Sequence, residues 1–200
     1  MPLGLASLQL GASAVEDEID ATANLDSGAL GRLTASAHLG RDPSAPAGVV
    51  GSGASLSGTL QAALGNLKAL NGLIGGGVLL DGRASATLKL AGTLGAPLIT
   101  GNAQADGVRL DLPAYGIALR EGRARIVMDE RRINIVALRI EGAEGALEAS
   151  GTLLRDDATA NMVWRADRLR IFNRPDRRLV VSGKGSAALL QNRLALRGEL

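Results

Sequence analysis

The residues with the right chemistry for catalysis or ion binding are few and scattered. His38 is the only histidine, and there is no cysteine. Thr34 and Ser36, at even spacing from it, place His38 on the polar side of a strand, so it reads as a surface residue. One imidazole and no thiol exclude a thiolate nucleophile, a disulfide and a zinc centre of His and Cys ligands, and leave a Ser–His–Asp relay without support. Glu16, Asp17, Glu18 and Asp20 crowd the oxygen ligands that calcium takes. They lack the spacing of a calcium loop and read as a solvated turn. The stretch "VSGKGS" (Val181 to Ser186) has part of a phosphate-cradling loop, but the upstream glycine is missing and Lys184 is followed by Gly185 where that motif needs Ser or Thr. "GSGASL" from Gly51 lacks the third glycine of a dinucleotide fingerprint, and no GxSxG elbow occurs. No catalytic machinery is legible. The expectation is a protein that is not an enzyme, with no metal and no cofactor.

The elements that would hold a site are unusual in their apolar content. Hydrophobic residues make up 46% of the 200 residues and aromatics only 2%, namely Tyr115, Trp164 and Phe172. Alanine (33) and leucine (34) dominate, so the apolar surface is aliphatic and mostly small. Aromatic side chains supply much of the burial in an ordinary core. Their scarcity points to a smooth apolar surface, and it removes the stacking platform that nucleic-acid binding needs. Glycine is abundant at 27, with no collagen-like period. Residues 109–200 carry 17 Lys and Arg against 12 acids, and residues 1–108 carry 5 against 8. Arginines coating the solvent side of strands account for this excess, although a basic half also suits an anionic surface.

Period-two alternation recurs along almost the whole chain. In "DGRASATLKLAGTL" (Asp81 to Leu94), Gly82, Ala84, Ala86, Leu88, Leu90, Gly92 and Leu94 share one side. Ile19, Ala21, Ala23 and Leu25 alternate likewise, as do Leu33, Ala35, Ala37 and Leu39. Further along come Ala124, Ile126 and Met128; Gly145, Leu147, Ala149, Gly151 and Leu153; Ala160, Met162, Trp164 and Ala166. Turn signals separate these runs at Gly95 to Pro97, Asp106-Gly107, Pro113 to Gly116, Asp129 to Arg132, Arg155 to Asp157 and Asn173 to Asp176. Strands joined by short polar turns pair antiparallel, so the chain is all-β. One segment departs. Leu60, Leu64, Leu67, Leu70 and Ile74 stand three and four apart, which predicts a short amphipathic helix ended by Gly75 to Gly77. Gly40 to Ser55, rich in Pro, Gly and Ser, reads as a loop or mobile connection. "SGTL" at Ser57 and Ser150, "AGTL" at Ala91 and "RGEL" at Arg197 form a repeat, in which the glycine relieves crowding where a strand bends or a neighbour comes close. Their irregular spacing excludes a solenoid of fixed period.

No apolar run reaches the ~18–20 residues that cross a bilayer. The alternating stripe still runs at Leu194, Leu196, Gly198 and Leu200, so the chain reads as a piece of a longer one, with any export signal or anchor outside these residues. Residues 1–56 read as an N-terminal β segment with its Pro/Gly/Ser-rich connection, and 57–200 as a β-sheet domain.

Four features taken in order carry a resemblance: the alternating strand closed by Gly-Thr-Leu with Pro97 and Gly101 after it; "VRLDLPAYGI"; the leucine-rich helix before Gly75; and "EGALEASGTL". Together they resemble the C-terminal region of the TamB family, AsmA-like proteins that serve as inner-membrane subunits of the bacterial translocation and assembly module. The resemblance is best from about Ser57 to Leu153. It implies a long curled antiparallel sheet, or β-taco, that is an open groove with an apolar interior. It also implies a periplasmic location with an inner-membrane anchor in an N-terminal segment outside this sequence, a TamA-type outer-membrane barrel as partner, and a role in phospholipid transport between the membranes or in outer-membrane protein assembly. On this reading Leu80, Ala84, Ala86, Leu88, Leu90, Leu94, Leu110, Leu112, Ala124, Ile126, Met128, Leu147, Leu153, Met162 and Trp164 line a trough that acyl chains fill. An ordinary β-sandwich with two meshed apolar faces, or an exported adhesin-like β-solenoid, would explain the alternation as well.

Overall fold

Alternating small aliphatic and polar residues give each strand one apolar side and one wettable side, and hydrogen bonding joins the strands edge to edge. A computed structural model describes residues 5–46, 49–74, 77–155, 159–172, 179–190 and 193–199. The strands are β1 (Leu5–Val15), β2 (Glu18–Ser27), β3 (Gly31–Leu39), β4 (Leu56–Leu64), β5 (Leu79–Gly92), β6 (Pro97–Leu112), β7 (Ile117–Met128), β8 (Arg132–Glu141), β9 (Ala146–Leu154), β10 (Thr159–Arg170), β11 (Val180–Leu190) and β12 (Arg193–Glu199). They form one 12-stranded sheet in sequence order, every neighbouring pair antiparallel. At about 4.8 Å per strand, the sheet is roughly 50 Å across. The all-β antiparallel architecture is as the sequence implies, and the sheet runs on through β3 and β4 at residue 56. Among the described residues there is no second sheet, so the two meshed faces of a sandwich are absent. The antiparallel meander is likewise unlike the parallel rungs of a solenoid.

The helix is shorter than its leucine spacing suggests. Leu60 and Leu64 belong to β4, and only a 3-10 turn (Leu67–Leu70) and one α-helical turn, α1 (Asn71–Ile74), follow. Asn66 starts the turn by accepting the Lys68 N–H, and Lys68 reaches Asp81 of β5 at 3.1 Å. Leu67 is buried. The helix-ending residues Gly75 and Gly76 lie outside the described residues, as do the turns at Asp156-Asp157 and Asn173 to Asp176 and the last residue, Leu200. No helix among the described residues is long and apolar enough to cross a membrane.

Gly40 to Ser55 reads from the sequence as a loop or mobile connection; its described residues, 40–46 and 49–55, fold around one buried carboxylate. Asp42 accepts from the Ser44 hydroxyl at 2.6 Å, the Ser44 N–H at 2.9 Å and the Gly53 N–H at 2.9 Å. The loop then docks on the β5–β6 turn, where Leu94 N–H donates to the Ala54 carbonyl and Gly95 N–H to Ser52.

The sheet is curled. Ile117 of β7 forms a backbone bridge with Phe172, just past β10, and the Arg155 guanidinium donates to the Ile99 carbonyl of β6 from just past β9. Both links join strands three places apart. A flat sheet would hold these about 14 Å from each other, so the sheet must bend over the short hairpins between them.

Asp106-Gly107, expected as a turn, lies inside β6 and makes a bulge instead. Bulges recur across the middle of the sheet, at Asp106 to Val108, Arg120 to Arg123, Val136-Ala137 and Asp167-Arg168. Each extra residue increases the local twist and bends the strand. Gly107, Glu121 and Arg168 take left-handed backbone conformations there, with φ of 58°, 51° and 44°. The bulges also restore phase. In β7 the apolar side chains stand at Ile117 and Leu119, then at Gly122, Ala124, Ile126 and Met128. The shift from odd to even positions falls on Arg120-Glu121.

Candidate apolar groove

The strand register collects the apolar positions on one face. Leu8, Leu25, Leu33, Ala62, Ala86, Ala103, Ile126, Ile135, Gly151, Met162, Ala187 and Leu196 pair in turn to form a single rung from β1 to β12. The next rung is equally unbroken and includes Leu60, Leu88, Met128, Leu153 and Leu189. On the other face a polar rung runs from Asn24 through Thr34, Gln61, Thr87 and Asn102 to Asn134, Thr152 and Asn161, with Val127 its one apolar member.

Of the fifteen residues assigned to the trough from the sequence, all but Leu94 stand on this apolar face. Leu94 lies beyond the end of β5 in the turn, 45% exposed, its backbone held by Ala54. The alternation carries on past Gly92, but the strand does not. Leu80 and Leu110 pair, as do Leu112 and Ile117, and they reach the face through the β6 bulge. Ala84 and Ala124 flank Ala105, while Leu90 faces Ile99. Leu147 pairs with Ala166 near the curl, where Ala166 and Leu169 are among the few buried apolar residues. Burial of these two shows that the apolar face is on the inside of the bend.

Away from that closed end and from the Leu67–Leu70 turn packed beside β5, no second sheet covers the apolar face among the described residues. Side chains along it are half-buried by their own neighbours, and none of the large ones falls below 2% exposure. At the sheet edges the face is open, with Leu10 at 73% and Leu196 at 71%. Between β4 and β7 the face dips into a concavity of about 280 Å³. Its floor is Ala62, Ala84, Ala86, Ala103, Ala105 and Ala124, with Leu64 and Ile126 beside them. Leu60, Leu88 and Met128 rise on one side, and Leu80 and Leu110 on the other. Six methyl groups between longer side chains make a shallow trough. Sequence reading singled out Ala84, Ala86 and Ala124 but missed Ala62, Ala103 and Ala105, which stand in the same even-spaced apolar pattern.

At the C-terminal side Trp164 shares a rung with Gly185 and Gly198 and lies over both, so its ring rests on the sheet rather than standing across the trough. The polar positions are plain surface. His38 Nδ1 meets Asp20 at 2.8 Å across β2 and β3, and Asp17 meets Arg41 at 3.4 Å. No cluster of three metal-binding side chains occurs among the described residues.

Fold and face together define an open, curled antiparallel sheet whose aliphatic side, outside the closed end, carries no second sheet among the described residues. No family model, curated protein or solved structure matches the sequence or the fold.

Proposed function

We propose that this chain is a wall segment of a hydrophobic conduit that carries phospholipid acyl chains across the periplasm, between inner and outer membranes. The observation that carries the proposal is the pair of apolar rungs crossing all twelve strands, with no second sheet over them among the described residues. Leaving a leucine-sized side chain in water forgoes roughly 1.5–3 kcal/mol relative to burial. An acyl chain laid along the alanine floor recovers that energy without directional contacts, which lets it slide. The absence of bulky side chains across the trough supports the same reading, and so does the resemblance to the TamB family. That resemblance also suggests the partner, a TamA-type outer-membrane barrel, and an anchor supplied by chain outside this segment.

The test uses Trp164, the only tryptophan. Phospholipids with brominated acyl chains quench an indole only on contact. The expected result is that protein purified without detergent carries phospholipid by native mass spectrometry, and that brominated lipid quenches Trp164 in saturable fashion. Protein free of lipid and unquenched would instead favour a structural, adhesin-like β domain with no lipid cargo.

A further inference from the structure

A twisted sheet is saddle-shaped, so each face is concave along one diagonal. The polar face has its own concavity, of about 660 Å³, over β6 to β10. Arg123, Arg125, Arg139 and Arg165 surround it, and Val136, Ala137 and Val163 contribute apolar surface. Three features distinguish it from an ordinary solvated face.

Register places Arg123 directly opposite Arg139, and Arg165 between Lys184 and Glu148. Glu148 thus stands between Arg139 and Arg165, and Arg123 is paired in register only with another arginine. Such a like-charged pair is destabilising unless something neutralises it. Among the described residues, Arg123, Arg125 and Arg165 make no side-chain hydrogen bond or ion pair, whereas Arg139 is held by Glu141 at 3.1 Å and by Glu148. Finally, the β8 bulge between Ile135 and Leu138 puts Val136 and Ala137 in the lining of this concavity, Ala137 directly opposite Arg125. Val136 and Val163 are 53% and 56% exposed on this otherwise polar side.

We propose that this concavity binds an anionic amphiphile: a phosphate headgroup joined to an aliphatic chain. The four arginines outnumber the two carboxylates in the lining, Asp106 and Glu148. Residues two apart on a strand are about 6.7 Å from each other and strands are about 4.8 Å apart, so the guanidinium groups arise within roughly 10–15 Å. Guanidinium pairs grip phosphate oxygens in bidentate fashion. The valines then meet the first methylenes, a contact that free phosphate cannot make. The site is on the opposite side of the sheet from the trough and is independent of its function.

Calorimetric titration of the whole chain separates the possibilities. Octyl phosphate below its micelle concentration is compared with inorganic phosphate and with octyl glucoside, using wild type, the double variant Arg123→Ser/Arg165→Ser, and Leu88→Asp on the apolar face. Wild type is expected to bind octyl phosphate roughly tenfold or more tighter than either control, and the double variant to lose roughly tenfold or more of that affinity while keeping its circular dichroism and melting profile. Binding should also fall as salt rises, a check that needs no substitution, and Leu88→Asp should retain it. Equal affinity for inorganic phosphate overturns the proposal by showing a simple anion site. Indifference to the arginine changes also overturns it. Loss in Leu88→Asp alone would put the ligand on the apolar face, sinking this proposal and leaving the conduit reading intact.

Discussion

Trp164 and Gly185 are directly opposed on β10 and β11, and the indole occupies the space that a side chain on the glycine would need. A methyl group built on Gly185 comes to 2.6 Å from Trp164 Cζ2 and 2.7 Å from the Arg197 carbonyl oxygen. Gly185→Ala is therefore expected to cost about 1–3 kcal/mol by overpacking. It should also shift Trp164 emission to longer wavelength as the ring lifts toward water. Urea unfolding and emission spectra measure the two effects in one sample.

The two faces should respond differently to charge. Leu88 is on the apolar face and Thr87, one residue before it, on the polar one. Leu88→Arg is expected to abolish brominated-lipid quenching of Trp164, because a guanidinium in the trough must be desolvated for acyl chains to pass. Thr87→Lys should leave quenching unchanged and stability within about 0.5 kcal/mol. Equal effects from the two variants would contradict the facial assignment.

Most of this arrangement was readable as alternation, because a period of two assigns a face without knowledge of the neighbours. The helix was over-read for a related reason. Leu60 and Leu64 are four apart, a spacing that shares one side of a strand as well as one side of a helix. Only Leu67 breaks the even pattern, and the chain leaves the sheet just before it. The bulges left a trace too, in the odd-to-even shifts at Asp106-Gly107, Arg120-Glu121 and Val136-Ala137 and the even-to-odd shift at Asp167-Arg168. A shift in one strand looks like a turn or a flaw until its partner's register shows an extra residue absorbed. The curl and the cationic hollow have no local signal at all, since they depend on strands three apart and on which arginines come to face each other.

Glu121 holds a left-handed backbone conformation that costs a non-glycine residue about 1–2 kcal/mol. Replacing it with glycine relieves that strain but adds chain entropy to the unfolded state. Glu121→Gly should thus be neutral to about 1 kcal/mol stabilising. Glu121→Val, branched at Cβ, should lose about 1–3 kcal/mol. Chemical denaturation of both variants checks the sign and the order.

Three hydrogen bonds organise the loop at Asp42, and the Ser44 hydroxyl, the Ser44 N–H and the Gly53 N–H hold its carboxyl below the usual carboxylate range, in spite of burial, which pushes it up. A depressed folded-state value means that the contribution is fully present above the ordinary carboxylate range and is lost as pH falls through the lower value. Amide exchange at Gly53 and Gly95 should therefore stay slow through mildly acidic pH and quicken only in stronger acid. Asp42→Asn keeps one acceptor oxygen without the charge. It should speed exchange at both sites at neutral pH and remove the acid dependence.

Within the sheet each strand pairs along its length only with those before and after it in sequence, with β1 and β12 as its margins. Such a ribbon is modular. Inserting one more hairpin would extend it by roughly 10 Å while the strand length stays the same, and deleting one would shorten it by the same amount. A sheet of this kind can be set to a required width by counting hairpins, since no central core has to be rebuilt when the count changes.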